Sequence, residues 1–219
     1  VPPPPQLCRE LMDELMSFAN HSAKQVDPLI AAAVVAFGFV FLHPFMDGNG
    51  RLSRFLIHQT LCHSGALKNG LLLPVSVAMK HEESGYLEAL KEFSKPAREF
   101  WNVTWLDADQ MAFDFIGHDS IYRFWDGTQC AEFTLQMALR ALEVELREET
   151  EFLEKYDYVI KEVNGRFDVR GSDLSKLVMM CLDNGDKVSK HRRKQFQFSV
   201  PEEVFDFIEQ IAGDFDSVG

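Results

Sequence analysis

Apolar residues in this chain recur mostly at helical spacing. Leu11, Met12, Leu15, Met16 and Phe18 fit one face of a helix over about 9–20. Asp27-Pro28 then offers an N-cap followed by proline at the first helical position. From Leu29 to Leu42 the pattern is apolar on every side, which predicts a central buried helix ending at His43-Pro44. Its fourteen residues fall short of the roughly 18–20 that a membrane span needs. A second helix is expected from Arg51 to about His63, with Gly65 near its cap, and another from His81 to about Ser94, stopped by Lys95-Pro96. Leu71–Leu73 and Pro74 read as the connection between them.

Alternation replaces that spacing at Trp101–Leu106 and Met111–Ile116, so a β-hairpin is expected there, with Asp107–Gln110 as the connector. Asp126-Gly127 reads as a turn, and Thr128 as the cap of a long helix over about Gln129–Leu146. A second acidic helix, about Glu149–Val163, is broken at Asn164-Gly165. Glu143/Arg147 and Glu151/Lys155 are i,i+4 pairs in the favourable order, as on a solvated helix face. Three short helices follow, Asp173–Asp183, Lys190–Phe196 and Pro201–Ala212, a trio resembling a helix-turn-helix unit. The opening Val1-Pro2-Pro3-Pro4-Pro5 should be extended, a lead-in from an upstream part or a solvated linker. The expected fold class is mostly α: a helical bundle around the buried helix, then a helical C-terminal region with one short hairpin and a helix-turn-helix-like end. The corresponding divisions are 1–97, 98–170 and 171–219.

Bulk properties narrow the function. The 219 residues carry a net charge of −12, which argues against a general binder of nucleic acid or acidic membrane. Any basic ligand-binding feature must be local. No signal-peptide pattern opens the chain. Cys8, Cys62, Cys130 and Cys181 are far apart and form no CxxC, as expected of reduced thiols in a cytoplasmic protein.

The residues least suited to a core lie together, in His43-Pro44-Phe45-Met46-Asp47-Gly48-Asn49-Gly50-Arg51-Leu52-Ser53-Arg54. Two arginines at a helix start oppose the helix dipole, and a bound polyphosphate would resolve the conflict. Gly48-Asn49-Gly50 can turn successive N–H groups inward as an anion-binding nest. Asp47, an acid among phosphate-binding groups, suits Mg²⁺ held by one carboxylate plus phosphates; as a plain Asx turn it would only cap the loop. His43 can accept a proton at neutral pH. Phe45 is expected to anchor the loop in the core, and Met46 to sit on the rim. The residues themselves leave the type of phosphate transfer open.

This stretch resembles the signature of the Fic family, H-P-F-x-[DE]-G-N-G-R-x-x-R, with every fixed position present. The resemblance extends from the proline run to about Lys95. Tyr122-Arg123-Phe124 and Lys190–Phe196 also look like the C-terminal region of long bacterial Fic proteins. It implies a Fic-type helical bundle and transfer of AMP from ATP to a Ser, Thr or Tyr hydroxyl of a target protein, with release of pyrophosphate. On that reading His43 is the base and Asp47 the Mg²⁺ ligand. Gly48, Asn49, Gly50, Arg51, Leu52, Ser53 and Arg54 make the nucleotide-binding segment. The resemblance adds Tyr86, Leu87 and Ser94 to the nucleotide site, where family members often carry Tyr-Tyr and an Asn. The family's upstream β-hairpin flap is not in this sequence, nor is its inhibitory [S/T]-x-x-x-E-[G/N] pattern: Thr150–Glu154 comes near, but Lys155 follows. A homodimer and AMP removal, or movement of another phosphate-linked group, stay open. A DNA-binding regulator is the alternative from another class, resting on Lys187, Lys190, Arg192, Arg193 and Lys194; a solvated helix explains the same patch more simply.

Overall fold

The computed structural model describes residues 1–67, 72–107 and 110–215. The chain divides into two compact units, 1–146 and 147–219. Leu71 of the expected connection and residues 108–109 of the hairpin connector lie outside the described residues. The protein is mostly helical with one antiparallel hairpin, as the periodicity predicts.

In the first unit, α1 (Pro5–Ser17) starts earlier than the apolar pattern suggests. Pro4 is extended and Pro5 opens the helix, a position where its missing N–H costs nothing. After a short irregular helical segment comes α2 (Pro28–Leu42). Asp27 caps it, accepting from the N–H groups of Leu29 and Ile30 at 2.9 and 3.2 Å. Ala31, Ala32, Val35, Ala36 and Phe37 are all buried, so α2 is the central helix its composition calls for. It packs against α1, α3 (Asn49–Ser64) and α7 (Thr128–Arg140). Gly38 lets α1 approach: a Cβ there would lie 3.2 Å from Leu15 Cδ1.

Next come α4 (Val75–His81) and α5 (Glu83–Arg98), separated by Glu82 alone. Pro96 does not end α5, contrary to the sequence reading. The helix runs to Arg98 because Ala97 is fully packed in the core, and that burial outweighs one missing hydrogen bond. The hairpin, β1 (Trp101–Asp107) and β2 (Gln110–Phe115), stands where alternation placed it. Its base is fixed by Trp101, whose indole N–H donates to Tyr122 Oη at 2.7 Å from α6 (Ser120–Arg123). Asp126, rather than Thr128, satisfies the start of α7: its carboxylate accepts from the Thr128 N–H at 2.9 Å.

A wide helical turn, Ala141–Glu145, separates α7 from α8 (Leu146–Arg166), and Asn164-Gly165 stays inside α8. Buried Val163 holds that last turn, and the Phe167 N–H donates to its carbonyl. The second unit consists of most of α8 with α9 (Gly171–Leu182), α10 (Lys190–Phe196) and α11 (Glu202–Phe215) around Leu177, Val178, Phe205 and Ile208. Arg193 donates to Glu202, Asp206 and Glu209 at 2.7–2.8 Å and so ties α10 to α11. Among the described residues no helix is long and apolar enough to cross a membrane. All four cysteines are unpaired; Cys130 and Cys181 are buried, and burial pushes each thiol up to about 12.

Glu145 is the one buried acid of the first unit among the described residues. Burial alone would raise its carboxyl, but hydrogen bonds from His81 Nδ1 at 3.0 Å and Arg140 Nε at 3.1 Å outweigh this and hold it below the usual range. A depressed folded-state value stabilises the fold above the unfolded value and is lost as pH falls through the folded one. Glu145→Gln is therefore expected to cost about 1–3 kcal/mol at pH 7 in urea denaturation. The gap to the parent protein should close as the pH is lowered below about 4.

Candidate active site

The candidate site is built where α2 ends and α3 begins. The last turn of α2 delivers His43, whose N–H donates to Phe39 O at 3.1 Å. Its backbone is left-handed, φ 47° and ψ 55°, a conformation that costs a non-glycine residue about 1–2 kcal/mol. That turn throws the chain off the helix axis, and the exposed imidazole lines a cavity of about 370 Å³. Val40, Phe41, Leu90, Phe93 and Ser94 share this wall, so α5 brings Ser94 to the same cavity as His43.

Across the loop, Gly48 is left-handed too, with φ 85°, and it stands at the N-terminus of α3. No side chain caps this end. The first N–H groups of α3 have no partner within the helix and point at whatever binds there, with the positive end of the helix dipole behind them. The arginines fold back over them. An Arg51 Nη lies 3.7 Å from where a Cβ on Gly48 would be, and an Arg54 Nη lies 3.6 Å from the equivalent point on Gly50. The guanidinium groups thus lie beside the helix start, an arrangement suited to phosphate oxygens.

Asp47 sits on the loop with its carboxylate 3.2 Å from Arg51, both side chains being well exposed. Among the described residues no cluster of three His, Cys, Asp or Glu could hold a metal by itself. A cation here would have Asp47 as its protein ligand and would take its other oxygens from phosphate and water, a set that suits Mg²⁺.

Two residues of the motif face inward. The Ser53 hydroxyl donates to Ala36 O at 3.0 Å and is buried, tying α3 to α2. Asn49 is also buried; its side-chain oxygen accepts from the Phe45 N–H at 3.1 Å and its NH₂ donates to Phe45 O at 2.6 Å. These two ties were not legible in the residue pattern. Phe45 corrects an expectation: it does not anchor the loop in the core. Its ring is 52% exposed and only leans on Phe39, at a centroid distance of 6.2 Å. Asn49 does the anchoring from below. Met46 is fully exposed on the rim, as expected.

On α5, Tyr86 turns toward the core, with its ring 5.6 Å from Phe37 and 6.1 Å from Phe133. Burial raises its phenol, while the neighbouring Ser53 hydroxyl and the charge of Arg54 act the other way. Tyr86 thus meets the start of α3, whereas Leu87 points outward and is 45% exposed. Leu90 and Phe93 also wall the cavity, and the sequence reading gives neither a role in the site. Their spacing from Tyr86, four and seven residues, was the available signal.

In the C-terminal trio, two of the five basic residues are already paired within the unit: Arg193 as described, and Lys187 with Glu209 at 3.4 Å.

Residues 1–61 match the sequence model of the Fic/DOC family. The chain is 32% identical over 96 residues to a probable protein adenylyltransferase of Aquifex aeolicus, covering 44% of this chain and 27% of that protein. It is 31% identical over 84 residues to a protein adenylyltransferase of Caenorhabditis elegans, covering 38% and 16% respectively. A protein adenylyltransferase of Drosophila willistoni is 33% identical over 92 residues, covering 42% and 17%. Each match spans less than a third of the relative's own length. The segment that matches the Fic/DOC family model, residues 1–61, contains the whole motif.

The left-handed Gly48 gives a direct test of the cradle. Gly48→Ala would place a Cβ at φ 85° and should lower stability by about 1–2 kcal/mol in urea denaturation. It should also weaken nucleotide binding measured by calorimetry.

Proposed function

We propose that this chain carries the active site of a protein adenylyltransferase, which moves AMP from ATP to a Ser, Thr or Tyr hydroxyl of a target protein. The observation that carries this reading is the uncapped start of α3, flanked by Arg51 and Arg54, one short loop away from an exposed His43. Three phosphates need several donors in one place, and here helix N–H groups and two guanidinium groups converge. The relatives named as adenylyltransferases support the same reading over the segment that holds these residues.

His43 takes the proton from the incoming hydroxyl, whose oxygen then attacks the α-phosphorus. A new P–O bond forms to the target, the bond to the β-phosphate oxygen breaks, and pyrophosphate leaves. Arg51, Arg54 and the N–H groups from Gly48 onward hold the phosphates and balance the charge that develops on them. Mg²⁺, held through Asp47, would supply further charge neutralisation on the phosphate oxygens. Asp47 must loosen its exposed contact with Arg51 to do this; such an exposed pair is weakly held. Tyr86, Leu87 and Ser94 are the α5 residues this reading assigns to the nucleoside side, and of these Ser94 shares the cavity lined by His43. The unpaired cysteines fit a cytoplasmic enzyme, where ATP and Mg²⁺ are at hand.

The test is incubation of the full-length protein with Mg²⁺ and ATP labelled at the α-phosphate. Label should appear on protein, and His43→Ala should reduce its rate by about 10²–10⁴-fold. ATP labelled at the γ-phosphate should give none. Unchanged α-labelling in His43→Ala would remove the base role, and γ-labelling would point to phosphate transfer instead.

A further inference from the structure

The loop Pro44–Gly48 sets the distance between His43 and Asp47, and something must fix its path. Left-handed residues bracket it, His43 on one side and Gly48 at the other end. Between them the side chains offer little restraint. Phe45 is half exposed, Met46 fully exposed, and Asp47 makes a solvent-facing contact with Arg51. Asn49 is different. It is 3% exposed, and its amide engages both main-chain groups of a single residue, accepting from the Phe45 N–H and donating to the Phe45 carbonyl. A primary amide presents a donor and an acceptor side by side. An ionised Asp offers acceptors only, and Ala offers neither. Asn49 is also the first residue of α3, so the clamp joins the middle of the loop to the helix that carries the phosphate cradle.

We propose that Asn49 is a positioning residue: its buried amide clamps the main chain of Phe45 and so holds His43 and Asp47 at a fixed separation before any nucleotide arrives. Phe45 lies two residues from each of them, which makes its peptide groups the one place where a single clamp controls both. The side chain thereby acts on the loop, while the backbone of the same residue belongs to the cradle. The clamp stands on the geometry of the free protein; only its catalytic consequence rests on the AMP-transfer reading.

Hydrogen–deuterium exchange of the full-length protein without nucleotide tests the clamp. In Asn49→Ala, segment 45–48 should exchange at least about tenfold faster, because an amide loses its acceptor and the loop its tie. Asn49→Asp, which keeps the acceptor for the Phe45 N–H but lacks the donor, should show a smaller rise. Segments in α2 and α8–α11 should be unchanged in both variants. Unaltered exchange at 45–48 in Asn49→Ala would overturn the proposal, and so would acceleration spread through α2, which would make Asn49 a general fold residue. A second measurement separates the clamp from direct phosphate binding. For AMP transfer, Asn49→Ala should lower kcat by more than it raises the KM for ATP, whereas loss of a phosphate contact would act mainly on KM. If the parent protein transfers no AMP, the functional reading fails while the exchange result still decides the clamp.

Discussion

The burial of α2 from Ala31 to Leu42 on almost every side is the constraint on which the rest of the first unit depends. An apolar helix of this kind has little face to offer solvent, so α1, α3 and α7 pack around it. Each large side chain it buries contributes about 1.5–3 kcal/mol, enough to outweigh local irregularities elsewhere. One irregularity falls at its own end. The chain can leave the core only through a sharp turn, and the left-handed His43 makes it. His43 is thus carried on a helix that is buried along most of its length.

The second half of the site depends on the first. Ser53 bonds to a carbonyl of α2, so the helix that begins with the proposed phosphate cradle is registered against the helix that ends at His43. The cradle itself is a set of groups left without internal partners: uncapped N–H groups and cations at the positive end of a dipole. In the free protein Arg51 leans on Asp47, which eases the repulsion without neutralising the site. The cost is local and is held in place by packing beneath, where Asn49 and Ser53 are buried. The same rule, a buried polar group with its partners chosen by the fold, governs Glu145 near the end of this unit and Arg193 in the other.

Legibility followed the range of the forces involved. Helical periodicity, the Asp27 cap, Gly48 and Gly65 as left-handed positions and the alternation at 101–115 are local signals, and each element appeared within a few residues of its expected place. Helix ends were misread where distant packing decided them, at Pro96 and at Asn164-Gly165. In the candidate site, residue types and spacing singled out His43, Asp47, the glycines and the arginines. They did not separate outward from inward roles within the motif: Phe45 looked like the anchor, and Asn49 is.

The sequence by itself determined a central buried helix followed at once by a twelve-residue motif of the Fic type, because the motif residues are contiguous and one apolar run dictates their support. Only the tertiary structure decided that Ser94 shares a cavity with His43, that Tyr86 turns toward Ser53 and Phe37, and that Asn49 spends its side chain on the loop. These are contacts between a side chain and a group brought to it by folding. Periodicity fixes which face of an element a residue occupies, but the partner on that face depends on how the elements pack.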